Sequence, residues 1–217
     1  MRNPDQDAME MAQRRAKLLE TGFRLFAEHS IEAVKLQDIA TESKIGIATL
    51  YRYFGNKPEM VIEIGTKKWE EYYLEVEKIS AERSGKPTTA AEDLDFFLDC
   101  FIELYRSHKD LVLFNRNFVT YVKHEKCTRE QMKDYNESIA RFSKKFHNLY
   151  SKGQMDGTLD IRFSEKKMFE NLMYIMISVV GKFAEGFIYP IDEERDMTED
   201  LYMLKDLILN AFTKKKE

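Results

Sequence analysis

The hydrophobic positions follow a helical period along most of the chain. Between residues 9 and 29, the apolar side chains Leu19, Phe23, Phe26 and Ala27 recur every three or four positions, which places them on one face of an α-helix. No segment alternates between apolar and polar residues for long enough to indicate a β-strand. Only 9 glycines and 4 prolines interrupt the 217 residues. The sequence therefore predicts an all-α protein.

Eight further helices are predicted after this first one. They are expected at residues 36–43, 47–53, 56–83, 90–107, 110–125, 129–154, 165–188 and 198–214. The start of the fourth is marked by Asn56, with Pro58 in the first turn and Glu59 three residues after the cap. The clearest break in the sequence is SGKPTT at residues 84–89.

Residues 35–57, KLQDIATESKIGIATLYRYFGNK, have the features of a helix-turn-helix unit. Two short helices joined by a tight turn present the second, recognition helix to the major groove of DNA. Ile39 and Ala40 are expected to pack inward, and Leu50 and Phe54, four positions apart, to be buried together. Polar and aromatic side chains then lie on the other faces of the recognition helix: Thr49, Tyr51, Arg52 and Tyr53.

This segment closely resembles the DNA-binding signature of the TetR family of bacterial transcriptional regulators. That signature runs from an Ile-Ala pair through a turn to Thr-Leu-Tyr-x-Tyr/His-Phe, then a small residue, Asn or Ser, and Lys. The matching positions are Ile39, Ala40, Thr49, Leu50, Tyr51, Tyr53, Phe54, Asn56 and Lys57. Residues 18–30, LLETGFRLFAEHS, resemble the first helix of the family, and the resemblance covers about residues 14–62.

The resemblance implies an N-terminal three-helix DNA-binding domain at residues 1–57. It also implies a helical ligand-binding and dimerisation domain at residues 58–217. Three positions depart from the family pattern: Lys35 replaces a Thr cap, Lys44 a turn Gly, and Gly46 a Ser or Thr cap. We expect Lys44 to adopt the left-handed backbone conformation at some energetic cost, and the glycine cap to be tolerated.

The resemblance also implies roles at the DNA. Ala48 and Thr49, at the front of the recognition helix, are expected at base edges, the Ala methyl suiting a thymine methyl. Gln37 suits an adenine or a phosphate, and Arg52 suits either a base or a phosphate.

Four further residues are expected at the DNA backbone. Lys35 brings a positive charge towards it, and Tyr51, Tyr53 and Lys57 are expected to bind phosphates. The exposed N–H groups at the start of the fourth helix would assist them.

The C-terminal part is rich in aromatic residues and methionine. Residues 168–189 are apolar on two faces, and a helix of this kind must bury both. The predicted rows on that helix are Met168, Leu172, Ile175, Val179 and Phe183, and Phe169, Met173, Met176, Val180 and Phe187. In the last helix, the apolar side is formed by Leu201, Leu204, Ile208, Ala211 and Phe212. In the TetR family the last two helices form the dimer interface, so the resemblance implies a homodimer through these helices.

A small apolar or aromatic effector is expected in the C-terminal domain, because methionine and aromatic side chains suit an adaptable cavity. Residues of this kind at helical spacing are also typical of an ordinary core, so both interpretations stay open. The candidate ligand-binding residues are Phe101, Tyr105, Phe118, Tyr121 and Tyr174.

Charge and composition narrow the possible functions. The net charge is −4, and residues 1–57 carry 9 basic and 8 acidic residues, so charge alone does not indicate DNA binding. The four histidines are isolated and predict no metal site, and nothing predicts a cofactor or a catalytic centre. Cys100 and Cys127 fit a reducing compartment and structural roles. With no secretory segment and no apolar run long enough to cross a membrane, we expect a cytoplasmic protein.

The leading hypothesis is a repressor that binds a near-palindromic operator as a dimer and is released by a small molecule. The alternative is an architectural or partner-recruiting DNA-binding protein without an effector. An open cavity and stabilisation by a ligand would favour the first, and a cavity filled by side chains the second. A helical enzyme ranks third, because no catalytic constellation is present.

Overall fold

A computed structural model describes residues 4–83, 87–186 and 195–214. Within these ranges every regular element is an α-helix, and the only strand-like pairing is one isolated antiparallel bridge, Leu159 with Thr213. The helices are α1 (Pro4–Glu28), α2 (Leu36–Ser43), α3 (Ile47–Phe54), α4 (Lys57–Arg83), α5 (Ala90–Ser107), α6 (Lys109–His124), α7 (Lys133–Asp156), α8 (Glu165–Ala184) and α9 (Thr198–Phe212). The all-α fold class predicted from the sequence is confirmed.

Most helix bounds lie within two residues of the predicted ones, and α1, α7 and α8 differ more. Helix α1 begins at Pro4, five residues earlier than expected. Helix α7 begins at Lys133 rather than at residue 129, because Thr128 and Gln131 form a turn in which the Thr128 N–H donates to Gln131 Oε1 at 2.8 Å. Helix α8 ends at Ala184, with Glu185 as its C-cap, four residues before the predicted end at residue 188. Phe187 of the predicted apolar row, and residues 84–86 of the predicted break, lie outside the described residues.

Side-chain caps explain where several helices begin. The Glu92 N–H donates to Thr89 Oγ1, and Glu92 Oε2 accepts from the Thr89 N–H at 2.6 Å, so the two residues form a capping box at α5. Ser164 caps α8 in the same way, by accepting from the Lys167 N–H. These caps satisfy N–H groups that have no partner inside their helices.

The chain divides into two compact units. The first comprises the chain up to Glu70 together with Leu113–Ser138, and the second comprises Glu71–Val112 together with the chain from Ile139 onwards. Helices α1, α2 and α3 therefore belong to the first unit, and α5, α8 and α9 to the second. The functional boundary expected after residue 57 stays a prediction.

The first unit has an aromatic core that includes parts of α6 and α7. The ring centres of Phe118 and Tyr135 lie 4.4 Å apart. Gly65 of α4 lies against both rings, since a Cβ atom there would be 3.1 Å from Phe118 and 3.2 Å from Tyr135. Asn115 Oδ1 accepts hydrogen bonds from Trp69 Nε1 at 3.2 Å and from the Tyr135 hydroxyl at 3.0 Å. This polar group is therefore satisfied within the core.

In the second unit, α5 packs against α8 and α9. Lys205 of α9 is 7% exposed, and its ammonium group forms ion pairs with Asp95, at 2.9 Å, and Asp99 of α5. Burial acts to lower the pKa of Lys205, but the hydrogen bonds to Asp99 and Asp95 outweigh burial and raise it. Lys205 therefore stays charged and ties α9 to α5.

The two apolar rows predicted for α8 each contribute two residues to its buried face, whereas the apolar side predicted for α9 is confirmed at Leu201 and Ile208. The buried row of α8 is Met168, Leu172, Met176 and Val180, whereas Ile175 is 40% exposed. In α9, Leu201 and Ile208 are buried within their own chain. The packing of α8 against α5 determines which face of α8 is buried. This long-range contact is not visible in the sequence.

No helix in the described part of the chain is long and apolar enough to span a membrane.

Candidate nucleic-acid interface

Helix α2 begins without help from the side chain of Lys35. A lysine side chain only donates hydrogen bonds, so it cannot cap helix N–H groups as a threonine would. Instead, the Asp38 carboxylate accepts from the Lys35 N–H at 2.7 Å. The acidic side chain also lies in the first turn, where it complements the helix dipole. The hydrogen bond from the Lys35 N–H to Asp38, which is one of the two bonds of a capping box, therefore compensates for the missing side-chain cap at position 35.

The turn after α2 requires a left-handed residue, and Lys44 supplies it with φ 57° and ψ 36°. The N–H groups of Lys44 and Ile45 donate to the carbonyls of Thr41, at 3.1 Å, and Ala40, at 3.0 Å. This pattern ends α2 and reverses the chain towards α3. The left-handed conformation predicted for Lys44 is confirmed.

Helix α3 is held by two apolar side chains. Leu50 is fully buried and Phe54 is 3% exposed, as predicted from their spacing. The guanidinium group of Arg15 lies 5.1 Å from the centre of the Phe54 ring and forms a bidentate ion pair with Glu63. Arg15 of α1 thus contacts Phe54 of α3 and pairs with Glu63 of α4, so that it links the three helices.

A small residue is required between α3 and α4. Gly55 has φ 67°, and a Cβ atom there would lie 2.9 Å from Glu59 Oε2. Glu59 cannot easily move away, because Oε1 accepts from the Asn56 amide at 2.7 Å while the Glu59 N–H donates to Asn56 Oδ1 at 2.9 Å. The helix start predicted at Asn56 is confirmed, and the close approach explains the preceding glycine.

The predicted DNA-binding residues differ in exposure. Those with exposed side chains are Lys35, Gln37, Ala48, Tyr51 and Arg52. Thr49, Tyr53 and Lys57 are half-buried. The exposed fraction of Tyr51 is 51%, although tyrosine is a large aromatic residue. The apolar face of α3 is thus buried and its polar and aromatic face is accessible.

Tyr53 and Lys57 are constrained by their surroundings. The Tyr53 hydroxyl is buried and has no hydrogen-bond partner among the described residues. The Lys57 ammonium group lies 5.9 Å from the Phe26 ring centre, 5.5 Å from that of Tyr121 and 3.5 Å from the Glu32 carbonyl oxygen. Burial lowers the pKa of Lys57 despite nearby carboxylates. Their expected phosphate contacts stay predictions.

One contact between α1 and α2 was not anticipated from the sequence. Arg24 of α1 forms ion pairs with Glu28, at 3.0 Å, and with Glu42 of α2, at 2.7 Å. The side-chain hydrogen bond with Glu28 is the main cause of a raised pKa at Arg24. Nothing in the sequence indicated the contact between Arg24 and Glu42, which lie 18 positions apart.

The five predicted ligand-binding residues do not line one cavity. Phe101 and Tyr105 are buried in the second unit, and the Tyr105 hydroxyl accepts from the Met197 N–H at 3.0 Å. Phe118 and Tyr121 are buried in the first unit. Tyr174 on α8 is 74% exposed. Four of the five are thus core residues in the structure and the fifth is at the surface, so their ligand-binding role stays a prediction.

The second unit contains a cleft of about 260 Å³ at α4 and α5, with one residue from α9. Its lining residues are Tyr72, Glu75, Val76, Ile79, Arg83, Phe96, Asp99, Cys100, Ile102, Glu103, Arg106 and Tyr202. Burial raises the pKa of the Cys100 thiol to about 12, so the thiol is protonated at neutral pH. The Tyr72 hydroxyl, whose pKa burial also raises, donates to the Cys100 carbonyl. This cleft was not identified from the sequence.

The α2–turn–α3 geometry defines a helix-turn-helix protein, and the comparisons with known proteins agree. Residues 18–64 match the profile of "Bacterial regulatory proteins, tetR family". An HTH-type transcriptional regulator of Staphylococcus aureus strain MRSA252 is 23% identical over 184 residues, which is 85% of this chain and 83% of that protein.

Solved structures share the whole fold. The fatty acid degradation regulator FadR of Bacillus halodurans has a TM-score of 0.69 and 16% identity, covering 96% of each chain. FadR of Bacillus subtilis, solved in complex with stearoyl-CoA, has a TM-score of 0.68 and 16% identity, covering 89% of this chain and 97% of that one. Residues 18–64 thus match the DNA-binding region of TetR-family regulators, and the relative that matches most of the chain is described as a transcriptional regulator.

The strain at Lys44 leads to a stability prediction. Lys44→Gly should raise the free energy of unfolding by about 0.5–1 kcal/mol, because glycine adopts the left-handed conformation without a Cβ clash, while its greater freedom in the unfolded chain offsets part of the gain. Thermal unfolding without DNA measures the effect. Lys44→Ala is the control, since it removes the side chain and keeps the strain. Equal melting temperatures for the two variants would contradict the interpretation.

Proposed function

We propose that this protein is a repressor that binds a near-palindromic operator as a homodimer and is released by a small-molecule effector. The observation that carries the proposal is the exposed polar and aromatic face of α3, whose opposite face is anchored by Leu50 and Phe54. A helix of 8 residues presented in this way suits the major groove of DNA.

At the operator, we assign direct base contacts to Ala48 and Thr49, at the first turn of α3. Arg52, one turn further on, is exposed and suits a guanine edge or a phosphate. The exposed Tyr51 supplies a hydroxyl group for a phosphate, whereas the buried Tyr53 hydroxyl must turn outward to do so. Neutral donors of this kind explain why a nearly uncharged domain can bind DNA.

Residues from α2 and α4 complete the proposed interface. Gln37 is exposed on α2, its amide 3.4 Å from Thr41 Oγ1, so it can turn towards a base or a phosphate. Lys35 precedes α2 and Lys57 begins α4, and both bring positive charge to the DNA backbone.

Dimerisation through α8 and α9 is supported by apolar side chains that their own chain leaves exposed. Tyr174 and Ile175 of α8 are 74% and 40% exposed, and Met203 and Leu207 of α9 are each 62% exposed. Scattered single apolar residues are common at protein surfaces, but four on two helices that both pack against α5 favour a partner. A twofold dimer places two recognition helices about one DNA turn apart, roughly 34–36 Å, which suits an inverted repeat.

Release by an effector is supported by the cleft on α4. That helix begins at Lys57, directly after the helix-turn-helix, and contributes five residues to the lining of the cleft. A ligand that binds one arrangement of α4 more tightly than another shifts the population of DNA-binding geometries. A FadR structure of similar fold was solved with stearoyl-CoA, so a ligand site is compatible with this architecture. A protein that binds its operator but responds to no ligand would instead fit the partner-recruiting alternative.

Arg52 tests the interface. Arg52→Ala should weaken operator binding by about 1–3 kcal/mol, roughly five- to a hundred-fold, and reduce the dependence of log affinity on log salt by about one if the contact is to a phosphate. Fluorescence anisotropy with operator DNA, over a series of salt concentrations, measures both quantities.

Arg129→Ala is the matched control for Arg52, because Arg129 is an exposed arginine of the same unit outside the proposed surface. It should bind as tightly as the unaltered protein. Equal losses in the two variants, or no loss with Arg52→Ala, would contradict the assignment of α3 as the recognition helix.

Leu207 tests the dimer. Leu207→Glu should convert the dimer to a monomer at micromolar concentration, because it places a charge in the apolar interface. Sedimentation velocity measures the mass. Leu74→Glu is the control, since Leu74 is also 62% exposed but lies on α4. The proposal fails if both variants stay dimeric, or if Leu74→Glu alone dissociates.

A further inference from the structure

The cleft in the second unit has an apolar floor formed by two helices. Tyr72, Val76, Ile79 and Arg83 recur every three or four positions along α4, so they share one face of that helix. Phe96, Cys100 and Ile102 of α5 add further apolar surface. The volume of about 260 Å³ is close to the lower end of the range for small-molecule sites, which favours a small ligand.

The three carboxylates that border the cleft already have partners. Glu75 lies 3.0 Å from His108 Nε2, and Asp99 is paired with Lys205. Glu103 accepts from the Ser107 hydroxyl and lies 3.7 Å from Arg106. These carboxylates are therefore poorly placed to bind a cationic ligand, because a ligand would have to replace an existing partner.

Arg83 is different. Among the described residues it has no carboxylate partner, and its guanidinium group lies 4.3 Å from the centre of the Phe96 ring. An arginine that is stacked on an aromatic face keeps its N–H groups at the edge of the plane, where they can donate to an oxyanion. Cys100 and Tyr72 add no opposing charge, since burial keeps both protonated at neutral pH.

We propose that the cleft binds a small amphiphile with a single anionic group, whose carboxylate or similar oxyanion is bound by Arg83 and whose apolar part lies against Val76, Ile79 and Phe96. The inference rests on the proposed function, because it names the chemical class of the effector. It replaces a purely apolar or aromatic effector with an anionic one.

The position of the cleft connects such a ligand to both proposed activities. Arg83 is in the last turn of α4, the helix that begins directly after the recognition helix. Tyr202, from α9, also lines the cleft, and α9 carries the exposed Met203 and Leu207. Binding therefore acts on the helix that follows the DNA-binding motif and on a helix of the proposed dimer interface.

The test compares three probes with the same alkyl chain and different head groups: octanoate, 1-octanol and octylammonium. Isothermal titration calorimetry on the full chain, at about 0.15 M salt and about pH 7.5, gives each affinity without DNA. We expect octanoate to bind about 10-fold or more tightly than 1-octanol, and octylammonium to bind most weakly. Equal affinities for octanoate and 1-octanol, a preference for octylammonium, or no octanoate binding up to about 10 mM would overturn the proposal.

Variants locate the head group. Arg83→Gln should lower octanoate affinity about 10-fold and leave 1-octanol affinity unchanged, whereas Arg83→Lys should retain part of the octanoate affinity, because it keeps the charge and loses the stacked N–H edge. Arg162→Gln is the control, because Arg162 is paired with Asp160 and does not line the cleft. Thermal unfolding verifies that each variant is folded. Octanoate affinity that is the same in Arg83→Gln and the unaltered protein would overturn the proposal.

Operator binding is measured separately, so that the two proposals fail in different ways. Octanoate binding through Arg83 with no change in operator affinity supports the site and contradicts release by this ligand. Release from the operator by another ligand, together with no octanoate binding, contradicts the site and supports the proposed function.

Discussion

The burial of Leu50 and Phe54 determines how the recognition helix is presented. A helix of 8 residues is unstable in isolation, so its conformation depends on packing. The two side chains are 0% and 3% exposed, and their burial contributes about 3–6 kcal/mol in total. Because the helix has 3.6 residues per turn, burying these two positions leaves Tyr51 and Arg52 accessible. The left-handed Lys44 and the glycine at position 55 set the two ends of this arrangement.

The proposed regulation depends on helix α4. It is 27 residues long, begins at the cap formed by Asn56 and Glu59, and ends at Arg83 beside the cleft. An unbroken helix transmits a displacement of one end to the other better than a loop does, because its backbone hydrogen bonds oppose bending. Regulation then needs only a ligand with different affinities for two positions of α4.

Local features were predictable from the sequence and long-range ones were not. The cap at Asn56 and the left-handed conformation of Lys44 depend on neighbouring residues, and both were predicted correctly. The pairing of Arg15 with Glu63 spans 48 residues, and the inclusion of Phe118 in the first unit depends on the path of α6. For α8, the sequence indicated two apolar faces, but only the packing of α5 determines that Ile175 is exposed.

Sequence-specific operator binding through α3 is tested most directly by selecting sheared DNA from the source genome on the purified protein, at about 0.15 M salt, and sequencing the bound fragments. We predict enrichment of a few fragments that share an inverted repeat, with half-sites one helical turn or a multiple of it apart. No enrichment, in a repeat with protein refolded to remove any co-purified ligand, would contradict sequence-specific operator binding through α3.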